Sequence, residues 1–314
     1  MTASLQGPDA GHQASDPEAQ ASAVEAAGAP LEQEHHYVLP MGGPPIRCLV
    51  PLPLATRDQG SLQRDLPSLP GIPRASWLAR RLALYCLSPG GVEFNVDHGR
   101  GVGATHDPRT AAVHERLRSN ALRLPRDAAE LVRFRVAIGL SDLPVRVGPC
   151  WAGGGSIHDS PWVHPPAEQL PALLEDWFGF MWSTRHPWSL RFALGIPQFL
   201  RIHPFAAGNG KTLRASLLKH AQTSGEIDPV ALALMLMLQG RRESLLALWN
   251  GYYRGQAGEY LRTVSLLAGW LSSTFRNEQS AWADVQSPGQ VADQRVDELL
   301  TRFFAFADST SPRG

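Results

Sequence analysis

Between residues 167 and 275 apolar side chains recur at intervals of three and four, through LPALLEDWFGFMWSTRH, SLRFALGIPQFLRIHPF, GKTLRASLLKHAQ, PVALALMLMLQG, ESLLALWNGYYRG and EYLRTVSLLAGWLSSTF. That spacing places one stripe on each of several helices and predicts a bundle. QVADQRVDELLTRFFAFA repeats it near the end with Val296, Leu299, Leu300, Phe303 and Phe304, followed by a polar tail. Upstream, RASWLARRLALYCLS spaces Trp77, Leu78, Leu82 and Tyr85 helically, and PRTAAVHERLRSNALRL and PRDAAELVRFRVAIGL each open with a proline suited to a first turn. RVGPCWAGGGSIHDSPWVHPP breaks the pattern: tryptophan and valine alternate with glycine, serine and proline, which predicts a β-hairpin or flap. The expected class is mainly α, a helical bundle with a β-hairpin flap.

The first part of the chain reads differently. Residues 1–36 are rich in Ala, Gly, Gln, Ser and acids and poor in branched or aromatic side chains, so they predict a disordered segment. From Tyr37 to Pro73 short apolar pieces are punctuated by prolines, giving a proline-rich irregular region of strands or loops before the helices begin. Residues 37–127 therefore form an accessory region, and residues 276–314 a C-terminal helix and tail.

Composition adds mainly exclusions. Twenty-nine basic residues balance 29 acidic ones across 314 residues, for a net charge of 0. Without surplus cation, partners that act through phosphate backbones or anionic membrane surfaces are not expected, so neither nucleic acid nor membrane is a predicted partner. The longest apolar run, Val230 to Leu238, is too short to span a bilayer, and the N-terminus lacks a basic, then apolar leader. Cys48, Cys86 and Cys150 are odd in number, distant and without CxxC spacing, which suggests neither a disulfide framework nor a zinc site. A reducing cytoplasm fits, or export as an effector without a Sec signal.

Chemistry concentrates in Ile202-His203-Pro204-Phe205-Ala206-Ala207-Gly208-Asn209-Gly210-Lys211-Thr212-Leu213-Arg214. Pro204 should end one helix at His203. Gly208, Asn209 and Gly210 allow positive φ, so that amide N–H groups converge on an anion where the next helix starts. Lys211 and Arg214 share the face of its first turn, against the helix dipole, a cost that a bound anion offsets. Lys211 and Lys219 are the only lysines of the chain. An imidazole at the lip of a phosphate nest suits phosphoryl or nucleotidyl transfer. Spacing alone equally permits an ordinary interhelical loop with a structural histidine.

HPFAAGNGKTLR resembles the signature of Fic-domain (Fido) proteins, HxFx(D/E)GNGRxxR, and RVGPCWAGGG with VHPP is similar to that family's flap, RxGxVxIGG...FxPPxxxxVPxLM. RRESLLALWNGYYRG resembles its Arg-containing helix. The resemblance implies a Fic-like core over 128–275 and a protein adenylyltransferase-like nucleotidyltransferase, which moves AMP or another nucleotide-derived group from ATP or another donor to a Ser, Thr or Tyr hydroxyl of a protein target. It implies that His203 is the general base, that Gly208, Asn209, Gly210, Lys211 and Arg214 hold the donor's phosphates, and that Phe205 anchors the core. The flap from Arg146 through Gly148, Trp151, Gly153 and Gly154 would dock the target by strand addition.

Three departures qualify that implication. Ala207 stands where the family carries the acid that holds Mg²⁺, so metal use is reduced or altered, and the alternative is a catalytically degenerate Fic fold that binds nucleotide or protein. Lys211 replaces an arginine fork by a point charge. Pro197 interrupts the helix before His203 and should kink it. No inhibitory (S/T)xxxE(G/N) helix is present, so any inhibition would come from a separate protein or another device. His158, Asp159, His164, Trp162 and the pair His35 and His36 read as surface or packing residues.

Overall fold

The computed structural model describes residues 30–37, 45–54, 66, 68–73, 82, 85–86, 108–119, 122–140, 142, 144–153, 155–283 and 290–310. The helical expectation holds throughout the second half: α3 (Leu170–Met181), α4 (Trp188–Ile202), α5 (Asn209–Ser224), α6 (Pro229–Gly240), α7 (Arg242–Tyr253), α8 (Ala257–Ala283) and α9 (Gln290–Thr310) follow one another, after α1 (Pro108–Arg118) and α2 (Ala128–Ala137). Strands are short: β1 (Glu32–Tyr37) with β2 (Ile46–Pro51), β3 (Ile72–Pro73) with β6 (Glu226–Ile227), and β4 (Trp151–Ala152) with β5 (Trp162–Val163). The fold is mainly α with small β-hairpins. Of the helix expected around Trp77 and Leu78, only Leu82, Tyr85 and Cys86 are described, and all three are buried.

The bundle is organised on α6, whose run from Val230 to Met237 carries no charge and is buried on every side. α4, α7 and α8 pack around it. A helix apolar all round belongs at the centre of a bundle. Pro229 fits its first turn and the Asp228 carboxylate accepts from the N–H groups of Val230 and Ala231, satisfying donors that a helix start leaves unpaired.

α4 carries His203 on its C-terminal end and continues through Pro197 without interruption. A proline at that position cannot donate to the carbonyl four residues back, Ala193 O. The Tyr260 hydroxyl of α8 donates to that oxygen instead, at 2.7 Å. Trp177 Nε1 donates to the neighbouring Gly195 O at 2.7 Å. Side chains from two flanking helices thus hold the proline turn, and both link α4 to the core.

One boundary expected from composition moves. Residues 32–36, placed in the disordered segment, lie in β1, paired antiparallel to β2 with Glu32 opposite Pro51 and His36 opposite Arg47. Leu31 N–H donates to Tyr253 O at 2.8 Å, and the Glu32 carboxylate meets the Arg201 guanidinium at 2.5 Å, both groups nearly fully buried. The composition argument considered apolar burial alone; here a buried ion pair and backbone pairing order the strand. Residues 1–29 and the polar tail 311–314 lie outside the described residues.

Candidate active site

His203 ends α4 in the left-handed region, φ 50° and ψ 61°, and its N–H donates to Phe199 O at 3.0 Å. Pro204 bars the α region to it, and the chain turns sharply into the loop that starts α5. Gly208 caps α5 with φ 79°, a conformation that favours glycine. The helix end expected from sequence is therefore in place, and a left-handed glycine opens the next helix.

The Asn209 side chain acts differently from the expectation. It is buried; its Oδ1 accepts from Phe205 N–H at 3.0 Å and its Nδ2 donates to Phe205 O at 2.7 Å. That two-way bond shapes the loop from within, so what Asn209 offers an anion is its backbone at the start of α5, and the expected amide contact is corrected to a positioning role. Phe205 is fully buried, the core anchor it was expected to be.

His203, Gly208, Lys211 and Arg214 open onto one cavity of about 1290 Å³, which Arg135 and Arg242 also line. Lys211 is exposed at its edge, whereas Arg214 is 6% and Arg135 1% exposed. Burial pushes both guanidinium pKa values down, and among the described residues no carboxylate is paired with either. Arg135 donates to Ala207 O at 3.0 Å and stacks over the Phe205 ring at 3.8 Å, while its Nε and that of Arg214 are buried without a hydrogen-bond partner. Among the described residues, two buried cations thus share one cavity without a counter-ion.

Arg135 went unnoticed in the sequence, yet a signal exists. It falls on the stripe Leu131, Phe134 and Ile138, where a charge on an apolar face needs a reason.

The residues around Ala207 do not fit Mg²⁺. A hard divalent cation takes carboxylate and water oxygens, whereas the Ala207 carbonyl is already occupied by the Arg135 guanidinium.

The flap exists as the two-residue pairing of β4 and β5, Trp151 opposite Val163 and Ala152 opposite Trp162, extended by His164 N–H donating to Cys150 O at 3.0 Å. Gly153 turns it with φ 78°. Gly148 has open space around its Cα, Trp151 is 40% exposed, and Gly154 lies outside the described residues. Arg146, expected on the docking surface, is buried. Its guanidinium donates to His203 O at 2.8 Å, Gly148 O at 2.9 Å, Pro165 O at 2.6 Å and Ile202 O at 3.2 Å. Four of its five N–H donors go to these carbonyls, so it clamps the flap's base to the end of α4.

His203 stacks on His164 with centroids 4.0 Å apart and planes at 16°. Nδ1 of His203 lies 3.3 Å from Leu200 O and Nδ1 of His164 lies 3.1 Å from Arg201 O. A carbonyl only accepts, so each Nδ1 carries the proton and each Nε2 keeps its lone pair. Burial depresses His203 to about 4, helped by Arg146 and Arg242, and depresses His164 to about 2, helped by His203. Both imidazoles are neutral at pH 7, with His203 Nε2 available as a base.

His164 thus proves central to the site, against its reading as a surface residue, and Arg201 stacks on Trp162 at 4.9 Å, which gives Trp162 a packing role. His158 and Asp159 stay exposed, Asp159 accepting from Ser156 within the turn. His36 bonds Glu34 on the surface at 2.7 Å.

Residues 154–221 match the model of the Fic/DOC family, a stretch that contains the flap's second strand, α3, α4, the nest and most of α5. No curated protein matches the chain. Among solved structures, a Fic family protein from Desulfovibrio desulfuricans G20 is similar over 74% of this chain at 18% identity with a TM-score of 0.41. The similarity covers 65% of that protein's length, just under two thirds. The signature's histidine, glycines and arginine gather on one cavity, and all of them fall inside the segment that matches the Fic/DOC family model.

Proposed function

We propose that the protein is a Fic-type transferase that moves AMP, or another nucleotide-derived group, from a nucleotide donor to a Ser, Thr or Tyr hydroxyl of a protein target, and that arginine takes the place of the metal. The observation that carries this reading is the pair of buried, unpaired guanidinium groups, Arg135 and Arg214, beside a neutral histidine in one cavity. The donor's phosphates lie against the N–H groups opening α5, with Arg214 beneath, Lys211 at the edge and Arg135 at Ala207. His203 Nε2 takes the proton as the target oxygen bonds to the phosphorus; the bond to the leaving phosphate breaks and the guanidinium groups receive its charge. Because no carboxylate stands at position 207, these cations supply the neutralisation that Mg²⁺ gives elsewhere. The exposed edge of the flap around Trp151 receives the target segment.

The test is labelling of lysate proteins with ATP, GTP, UTP and CDP-choline, with and without EDTA. His203→Asn is the control, since asparagine tolerates the left-handed backbone. His203-dependent labelling that survives EDTA is expected. Tight nucleotide binding with no transfer from any donor would instead assign the protein to binding alone, and absence of nucleotide binding would refute the reading.

A further inference from the structure

Cys150, His164 and His203 are brought together although 53 residues separate the first from the last. Their potential ligand atoms all lie within 4.8 Å of one another. Cys150 immediately precedes the flap's first strand, His164 immediately follows its second, and His203 caps the end of α4. The sequence pattern gave no hint, because the spacing is not that of a local chelate.

Three features distinguish this cluster from a chance meeting. The first is tautomer: both Nδ1 atoms are tied to carbonyls of consecutive residues, Leu200 and Arg201, which leaves the lone pair of each ring on Nε2. Metal-bound histidines have this arrangement, one nitrogen donating to a backbone carbonyl while the other ligates. Secondly, His164 is only 4% exposed and its Nε2 has no partner, a buried acceptor aimed into the cluster. Burying such a lone pair unpaired is unfavourable, and a metal bond offsets that cost. Thirdly, Cys150 is a free, buried thiol. In a tetrahedral zinc site the ligand atoms stand about 3.5 Å apart, so closing the cluster requires the two rings to turn out of their stack until both lone pairs meet one ion.

We propose that Cys150 Sγ, His164 Nε2 and His203 Nε2 form a three-ligand site for a transition-metal ion that prefers thiolate and imidazole, Zn²⁺ foremost, with its fourth position open to the cavity. Binding releases the thiol proton, so the ion and thiolate together add one positive charge. Of the nearby cations, Arg201 is neutralised by Glu32 and Arg146 faces four carbonyl dipoles. A bound ion occupies the lone pair through which His203 acts as base, so it brakes transfer. The brake rests on the transferase reading; the ion site does not.

The test uses full-length, chelator-stripped protein and Co²⁺ as probe. One equivalent should produce a near-ultraviolet thiolate-to-cobalt charge-transfer band and visible bands of tetrahedral cobalt, bleached by one equivalent of Zn²⁺. Cys150→Ser should abolish the charge-transfer band, and His164→Ala should weaken Co²⁺ binding roughly tenfold or more. Cys48→Ser and Cys86→Ser should leave it unchanged. In the unaltered protein, Zn²⁺ should shield Cys150 from iodoacetamide, a readout that needs no variant. No band and no shielding, or a band that persists in Cys150→Ser, would overturn the site. A band with no transfer from any donor would leave the site standing and remove only the brake.

Discussion

Replacing Tyr260 by phenylalanine isolates what holds α4 together at its proline. The hydroxyl donates to Ala193 O, the carbonyl that Pro197 leaves without an N–H, and both Ala193 and Tyr260 are shielded from solvent. Tyr260→Phe should therefore cost about 1–3 kcal/mol, the penalty of an unsatisfied buried acceptor rather than that of a lost surface contact. Pro197→Ala restores an N–H in register with that oxygen. In the Pro197→Ala background the same Tyr260→Phe change should cost at least about 1 kcal/mol less. The entropy that proline removes from the unfolded chain cancels, because it enters both arms of the cycle. Urea unfolding followed by tryptophan fluorescence measures all four proteins, with the midpoint moving and the slope constant. Equal costs in the two backgrounds would refute the reasoning, since the hydroxyl would then not be acting for the missing amide.

Arg214→Met should separate stability from binding: removing a buried, unpaired cation leaves stability equal or raises it by about 1–3 kcal/mol, while calorimetry should show nucleotide affinity lost. Arg146→Ala strips four carbonyls of their shared donor and should cost about 3–5 kcal/mol, with faster hydrogen exchange at the flap and the end of α4. His220, buried against Trp188 and Phe192, is held down to about 4 by its burial. The unfolded chain then binds the extra proton below about pH 6.5, so the share of stability that depends on His220 is full above that and is lost towards pH 4, about 2 kcal/mol of it between pH 8 and pH 5; His220→Phe should reduce the loss in urea melts by that share, leaving the part due to His203 and His164. At Gly240 an added Cβ would lie 2.2 Å from the Phe304 ring of α9, so Gly240→Ala should displace that helix and lower the melting temperature; an unchanged melt would mean that α9 yields freely.

The helices were legible because each buries one continuous stripe, and the nest because proline and two glycines dictate backbone angles locally. His203, Lys211 and Arg214 followed from that same local grammar. What sequence could not reveal depends on contacts between distant segments. Arg146 read as a docking residue because its four acceptors belong to the flap and to α4. Asn209 read as a phosphate ligand because nothing local shows that Phe205 claims its amide. Cys150 and His164 looked unrelated to His203 because a hairpin and a helix end had to meet first. β1 was invisible for another reason: its order comes from one carboxylate finding one guanidinium, which no average over composition registers.

That last contact ties the family-matched stretch to a distant part of the chain. Arg201 lies inside the stretch recognised as Fic/DOC, but its neutralising acid, Glu32, is supplied from 169 positions earlier. Excising 154–221, or the wider span 128–275, would strand a naked guanidinium in an apolar interior beside the very carbonyl that steadies His164. Any transplant of this stretch that is to keep Arg201 neutralised must carry the hairpin along.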